Sequence, residues 1–298
     1  MNKRKKLTAS LTLLMICVLI LSSQVSCKSK SPSEITQNMQ QRTVQLVFAV
    51  QQKQGDTAAG FTPVGTGILV NNNGYVITAD HLLDSGEQYM QQAQAEVKKM
   101  GIVVLAPPGA SSFSNVPQPL TAINDFDVIA RDSKHDLALL KIKMLSIISP
   151  LNGKTLLTVH FNRNVSGSLN VGVARFSKAI TQNNAVAITG YTSDAVTGAI
   201  SGELMPETKN GNVTSKEITD IHNPKLASIS PGLVYAVTYF YTTDIISNPV
   251  LSGCPVYSPQ NGAIMGMGIS VAGPAGQIVI IPAKYFLDLL KSNGVTIK

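Results

Sequence analysis

Three residues far apart in this 298-residue chain have the types needed for nucleophilic catalysis. Ser252 stands in the segment TDIISNPVLSGCP, Thr243 to Pro255, at a Ser-Gly turn before an apolar run. His81 closes the run GYVITADH and Asp136 opens the run DLALLKI, so the chain order is His, Asp, Ser. A serine hydroxyl attacks poorly at neutral pH. It becomes a nucleophile when an imidazole takes its proton and a carboxylate holds that imidazole in one tautomer. Each residue also has a plain alternative. His81 could be a half-buried histidine at a strand end, Asp136 a carboxylate satisfying turn amides, and Ser252 an ordinary turn serine. Asp132 is a rival carboxylate. His135, beside Asp136, reads as a surface residue because strand alternation turns it away.

The elements that must position these groups are mostly short β-type runs broken by Gly, Asn and Pro. VQLVFAV, GTGILV, GYVIT, DVIARD, DLALLKI, LNVGVARF, AVAITG, GAISGEL, LVYAVTYF, AIMGMGIS and QIVIIP all predict strands. NNNG at 71–74 predicts a hairpin turn. Gly86 to Met100, rich in Gln, Ala and Lys, predicts a helical surface insertion. PAKYFLDLLKSNG at 282–294 predicts an amphipathic helix, with Pro near its start, Asn-Gly at its end and Tyr285, Phe286, Leu289 and Leu290 on one side. Pro107 to Pro119 and Pro206 to Lys225 read as long loops.

Bulk properties narrow the class. Apolar residues make up 44% of the chain, which describes a globular protein with ample core. Of the formal net charge of +7, four positives are Lys3, Arg4, Lys5 and Lys6, leaving +3 from Cys27 onward. No basic cluster interleaved with aromatics points to nucleic acid. No His/Cys group has metal-ligand spacing, so neither a metal nor a cofactor is expected.

The basic start MNKRKK, the apolar stretch Leu11 to Leu21 and the small, polar SSQVSC have the layout of a secretory signal over residues 1–26. Cleavage before Cys27 and acylation of that cysteine would resemble bacterial lipoprotein processing. Val25 and Ser26 fit that pattern, and Gln24 departs from it. Ordinary signal cleavage and a retained anchor are the alternatives. The expected location is the bacterial cell envelope, through a lipid anchor on a membrane. The other cysteines are Cys17, in the leader, and Cys254, so a lipidated Cys27 leaves one free thiol and no disulfide.

Several blocks together resemble a known family. GTGILVNNNGYVITADHLLD, HDLALLKI, AVAITGYTSDAVTGAISGEL, TDIISNPVLSGCP, NGAIMGMGIS and IVIIPAKYFLDLL stand in the order seen in HtrA/Deg-type trypsin-like serine proteases. The likeness spans about Gly65 to Leu290. It implies an all-β fold of two packed six-stranded antiparallel β-barrels with a C-terminal helix. In those terms a tether and short helix occupy 27–43, the N-terminal barrel 44–165, and the C-terminal barrel with its helix 166–298. PDZ domains, common in the family, are not expected here.

The resemblance implies a catalytic set of His81, Asp136 and Ser252, and an oxyanion hole from the backbone amides of Val250 and Ser252. It also places Ile246 near the base of a substrate pocket for small or medium aliphatic side chains, and gives Asp244 a loop-ordering role. The long stretches between His81 and Asp136 and between Asp136 and Ser252 are expected to form surface loops around the cleft. The serine block departs from the family pattern, with Val250 and Cys254 in place of glycines and Leu251 in place of Asn or Asp. Two functions are therefore carried forward. One is an exported serine endopeptidase acting on polypeptides. The other is a catalytically impaired protease-like lipoprotein that serves as a binding or assembly protein. Family members are usually trimers, so a homo-oligomer is considered, although the N-terminal segment has no clear trimer signature.

Overall fold

Alternate residues of one strand enter different apolar environments, and this period of two organises the second half of the chain. In Gln277–Pro282, Ile278 and Ile280 face one buried cluster while Val279 and Ile281 face another. In Ala185–Gly190, Val186 and Ile188 join the first cluster and Ala187 the second. The computed structural model describes residues 30–51, 60–92, 97–105, 121–142, 144–148, 155–160, 171–191, 206–218, 239–246, 251–270 and 276–297. Within them, β10 (Ala185–Gly190), β11 (Glu207–Ile218), β12 (Tyr239–Ile246), β13 (Cys254–Tyr257), β14 (Ile264–Ser270) and β15 (Gln277–Pro282) close into a barrel in the order β10-β11-β12-β15-β14-β13. One cluster fills this barrel. The other joins its outer face to the first half of the chain and to the C-terminal helix.

The first half is a nine-stranded antiparallel sheet. Its members are β1 (Thr43–Gln51), β2 (Gly60–Leu69), β3 (Tyr75–Thr78), β4 (Val97–Leu105), β5 (Thr121–Asn124), β6 (Phe126–Asp132), β7 (Leu137–Ile142), β8 (Met144–Ile148) and β9 (Thr155–His160). They run in the order β6-β7-β3-β2-β1-β4-β5-β8-β9. The all-β, trypsin-like fold with a terminal helix is thus present, and this sheet is wider than six strands. Part of the stretch between His81 and Asp136, expected as surface loop, supplies β4 and β5. Val97 to Val104 pair with Gln51 to Val44 of β1. That pairing overrides the helix propensity of Val97–Met100, so the helix expected over 86–100 instead runs from Asp80 to Gln92 (α2). Likewise, most of the loop expected from Pro206 is β11, which bonds to β10 and β12. LNVGVARF contributes one isolated bridge at Phe176 in place of a strand. GAISGEL and the loop expected at 107–119 lie outside the described residues, as do Cys27 and Val250.

Two helices brace this frame. In α1 (Pro32–Arg42), Ile35 and Met39 are buried. Its last residue, Arg42, donates to the carbonyls of Leu69, Val70 and Val171 and to Asn38 Oδ1, at 3.0 Å for the last. Burial lowers the pKa of this guanidinium to about 10. The C-terminal helix, α3 (Ala283–Ser292), follows Pro282 and buries Tyr285, Phe286, Leu289 and Leu290, the face read from the sequence. It ends at Asn293 and at Gly294, whose φ is +68°.

The two halves meet at a tight backbone junction. The Thr66 amide donates to the Ser252 carbonyl at 2.8 Å. Gly253, at φ +89°, lies against the Thr66 carbonyl with no room for a Cβ, and Thr78 Oγ1 is 2.9 Å from where that Cβ would sit. Both Gly253→Ala and Gly294→Ala force an L-residue into the left-handed region, at about 1–2 kcal/mol. Only the first also collides with backbone, since nothing lies within 4 Å of a Cβ on Gly294. Urea unfolding followed by circular dichroism should therefore show Gly253→Ala the costlier by about 1–3 kcal/mol. Equal losses would contradict the junction.

Candidate functional site

Strand register brings His81 and Asp136 to one place. β3 and β7 are antiparallel neighbours, with Thr78 opposite Ala138. The residues just after β3 and just before β7 therefore emerge at the same end of the sheet. His81 lies in the first turn of α2, and Asp136 closes the turn that leads into β7. His81 Nδ1 is 2.8 Å from Asp136 Oδ2 and 3.1 Å from Oδ1, and the His81 backbone amide donates to Oδ1 at 2.9 Å. One carboxylate thus holds both the ring and the main chain of the histidine. Asp136 is 2% exposed and sits at φ +53°, a left-handed conformation that an aspartate adopts more readily than most residues. With Asp136 bonded to Nδ1, the ring proton is held there and Nε2 is left as the basic nitrogen.

The rival acid has another partner. Asp132 Oδ2 is 2.6 Å from His135 Nδ1, and the His135 ring stacks on Tyr285 of α3 with centroids 4.1 Å apart. His135 is thus half-buried against the terminal helix, where the sequence placed it on the surface. The alternation rule fails there because residues 133–136 form a turn, not a strand. His160 ends β9, and His222 lies outside the described residues.

Ser252 arrives from the other half of the molecule, just ahead of β13, and is 3% exposed. Its carbonyl is bound to Thr66, and Thr66 O in turn accepts from Thr78 Oγ1 at 2.7 Å. Thr78 is three residues ahead of His81. A Cβ on Gly65 would lie 3.0 Å from the Ser252 carbonyl and would collide with the side chain of Leu82, the residue after His81. The serine turn is therefore seated on the sheet end that bears the His–Asp pair. Ser252 Oγ accepts the Ser270 amide at 3.1 Å, a contact that leaves its own proton to donate, and among the described residues no hydrogen bond joins it to His81.

The residues flanking Ser252 explain how the altered block is accommodated. Leu251 is buried inside the closed barrel, its Cδ2 at 2.6 Å from the place a Cβ would take on Gly190. An apolar side chain there anchors the turn from within. Cys254 is fully buried in the same cluster, and burial pushes its thiol up to about 12, so it has no thiolate character near neutral pH. Ile246 ends β12 with 74% of its surface exposed.

One charged feature, Asp80 with its partners, escaped the sequence reading. Asp80, immediately before His81, is buried and receives both Arg131 and Ser133. The only cue was an aspartate at the start of a helix. Asp244 accepts the Asn212 amide at 2.6 Å and the Asn212 side chain at 3.2 Å, tying β12 to β11. The Asn212 backbone bond lowers its pKa. A lowered folded value means that this contribution is present above the ordinary carboxylate range and is lost as pH falls through the folded value. Thermal unfolding should accordingly find Asp244→Asn destabilised at pH 7, with the gap to wild type closing in strong acid. A gap independent of pH would contradict the assignment.

Comparison with known proteins agrees with this architecture. The family described as trypsin-like peptidase domain matches residues 65–267. No curated protein matches significantly. Among solved structures, the HtrA-type protease AlgW with a decapeptide superposes with a TM-score of 0.53 at 14% identity, over 89% of this chain and 67% of that one. Deg5 superposes with a TM-score of 0.52 at 13% identity, over 86% of this chain and 90% of the other. Identities this low show a shared fold.

Proposed function

This chain belongs to the trypsin-like peptidase family, and from that premise we propose that it is an exported serine endopeptidase of HtrA-like type. The observation that carries the reading is the bond between His81 Nδ1 and the Asp136 carboxylate, on the sheet end where the Ser252 turn is seated. In the proposed reaction the Ser252 hydroxyl donates to His81 and its oxygen attacks a peptide carbonyl. His81 Nε2 takes the hydroxyl proton as the C–O bond forms, then delivers it to the leaving amine as the C–N bond breaks. Water repeats the sequence on the acyl-enzyme. Asp136 keeps the imidazole in the required tautomer and stabilises the imidazolium. The amides of Val250 and Ser252 receive the oxyanion, and Ile246 offers an apolar contact to an aliphatic side chain of the polypeptide.

The reading includes a leader ending at residue 26 and a lipid on Cys27 that holds the enzyme at a membrane of the cell envelope. Replacing Cys27 by Ala should move the protein from the membrane fraction to the soluble fraction. Retention would remove the lipid anchor from the proposal and leave the catalytic part intact.

One observation favours the second reading, a protease-shaped binding or assembly protein. Among the described residues the Ser252 oxygen accepts a main-chain amide and has no hydrogen bond to the imidazole. A fluorophosphonate probe separates the two. Wild type should be labelled on Ser252, and Ser252→Ala and His81→Ala should not be. Asp136→Asn should lower the turnover of a cleaved peptide by about 10,000-fold, as expected for a wrong tautomer. Folded wild type that takes no label would support the binding protein.

A further inference from the structure

The His81–Asp136 pair depends on two loops keeping a fixed separation, and a second set of polar contacts spans the same gap. Asp80 precedes His81 on α2. Its carboxylate accepts Arg131 Nε on one oxygen and Ser133 Oγ, at 2.5 Å, on the other. Arg131 lies on β6, opposite Ala138 of β7, and Ser133 lies in the turn that ends at Asp136. Arg131 Nη2 reaches further, to the Asp80 carbonyl at 3.5 Å and to Asp84 Oδ1 at 2.5 Å. The Asp80 amide closes the set by donating to the Asp136 carbonyl at 3.2 Å. We propose that Arg131, acting through Asp80, is a positioning residue that locks the start of α2 to the Asp136 turn and so fixes the imidazole for proton transfer. This rests on the serine-peptidase reading for its effect on rate; the brace itself does not.

Three features distinguish this cluster from an ordinary surface ion pair. Asp80 is 2% exposed, so its charge is taken out of water and depends on its partners. The cluster grips the turn that carries Asp136 in a left-handed conformation, a geometry that persists only where its surroundings over-determine it. Asp80 also occupies the first turn of α2, where the helix dipole favours a negative charge. By contrast, the Arg131–Asp84 contact is at the rim, with Asp84 37% exposed, and exposed pairs contribute little.

The test uses the whole folded chain and two readouts. The first is the rate of fluorophosphonate labelling at Ser252 as a function of probe concentration. Arg131→Gln should lower the maximal rate by about 10- to 100-fold, the scale of a small misplacement, with half-saturation unchanged. Arg131→Lys should restore part of the rate, and Ser133→Ala, which strands no charge, should show a smaller loss in the same direction. The second readout, independent of activity, is amide hydrogen exchange over residues 80–84 and 132–137. It should rise in Arg131→Gln and in Ser133→Ala. A wild-type labelling rate in both variants, or unchanged exchange over both segments, would overturn the proposal. Unlabelled wild type combined with increased exchange in the variants would uphold the brace and sink the peptidase reading. If Arg131→Gln does not fold, Ser133→Ala decides the matter by the same two measurements.

Discussion

Everything about the site depends on one short piece of backbone, the hydrogen bond from the Thr66 amide to the Ser252 carbonyl. It is the point at which a loop of the closed barrel touches the strand pair that carries the histidine. Thr66 binds the serine turn through its amide and Thr78 through its carbonyl, so one residue links both sides. The approach is close because Gly253 brings no side chain to it. A net backbone hydrogen bond contributes only about 1 kcal/mol. Its importance here is geometric, since it fixes the distance between groups from two different hydrophobic units.

The chemistry then follows from which way each side chain is held. Asp136 grips His81 by ring and by main chain, the contact that the proposed acid–base role needs. Ser252 is seated beside that pair, with its oxygen accepting the Ser270 amide. That bond uses a lone pair and leaves the hydroxyl proton to donate, while the backbone is pinned at Thr66. Leu251, packed inside the barrel, holds the turn against a shift. The departures from the family's serine block are therefore not only losses. A leucine buried against Gly190 supplies an apolar anchor where relatives of this type carry Asn or Asp.

Much of this was legible in the sequence, because it rests on local pattern. Within the described residues the alternating runs found their strands except LNVGVARF, NNNG formed its turn between β2 and β3, and PAKYFLDLLKSNG formed its helix with the expected face buried. His81 and Asp136 could be named because each stands beside a strand whose apolar residues identify it. What stayed hidden depends on pairing partners far away. VKKM is a strand only because β1 offers an edge to Val97–Leu105, and the polar β11 is a strand only because two neighbours hold it. Asp80 and Arg131, 51 positions apart, carry no local signal of their contact. His135 was misplaced because a turn obeys no alternation, and Tyr285 of a distant helix covers it.

The central claim is that the hydroxyl, imidazole and carboxylate form one working chain of contacts when a substrate-like group is present. A crystal structure with a peptide boronic acid tests this most directly. The account predicts a tetrahedral boron bonded to Ser252 Oγ, with one boronate oxygen about 2.6–3.2 Å from His81 Nε2 and Asp136 still on Nδ1. An unmodified Ser252, its oxygen still held by the Ser270 amide at saturating boronate, would contradict it.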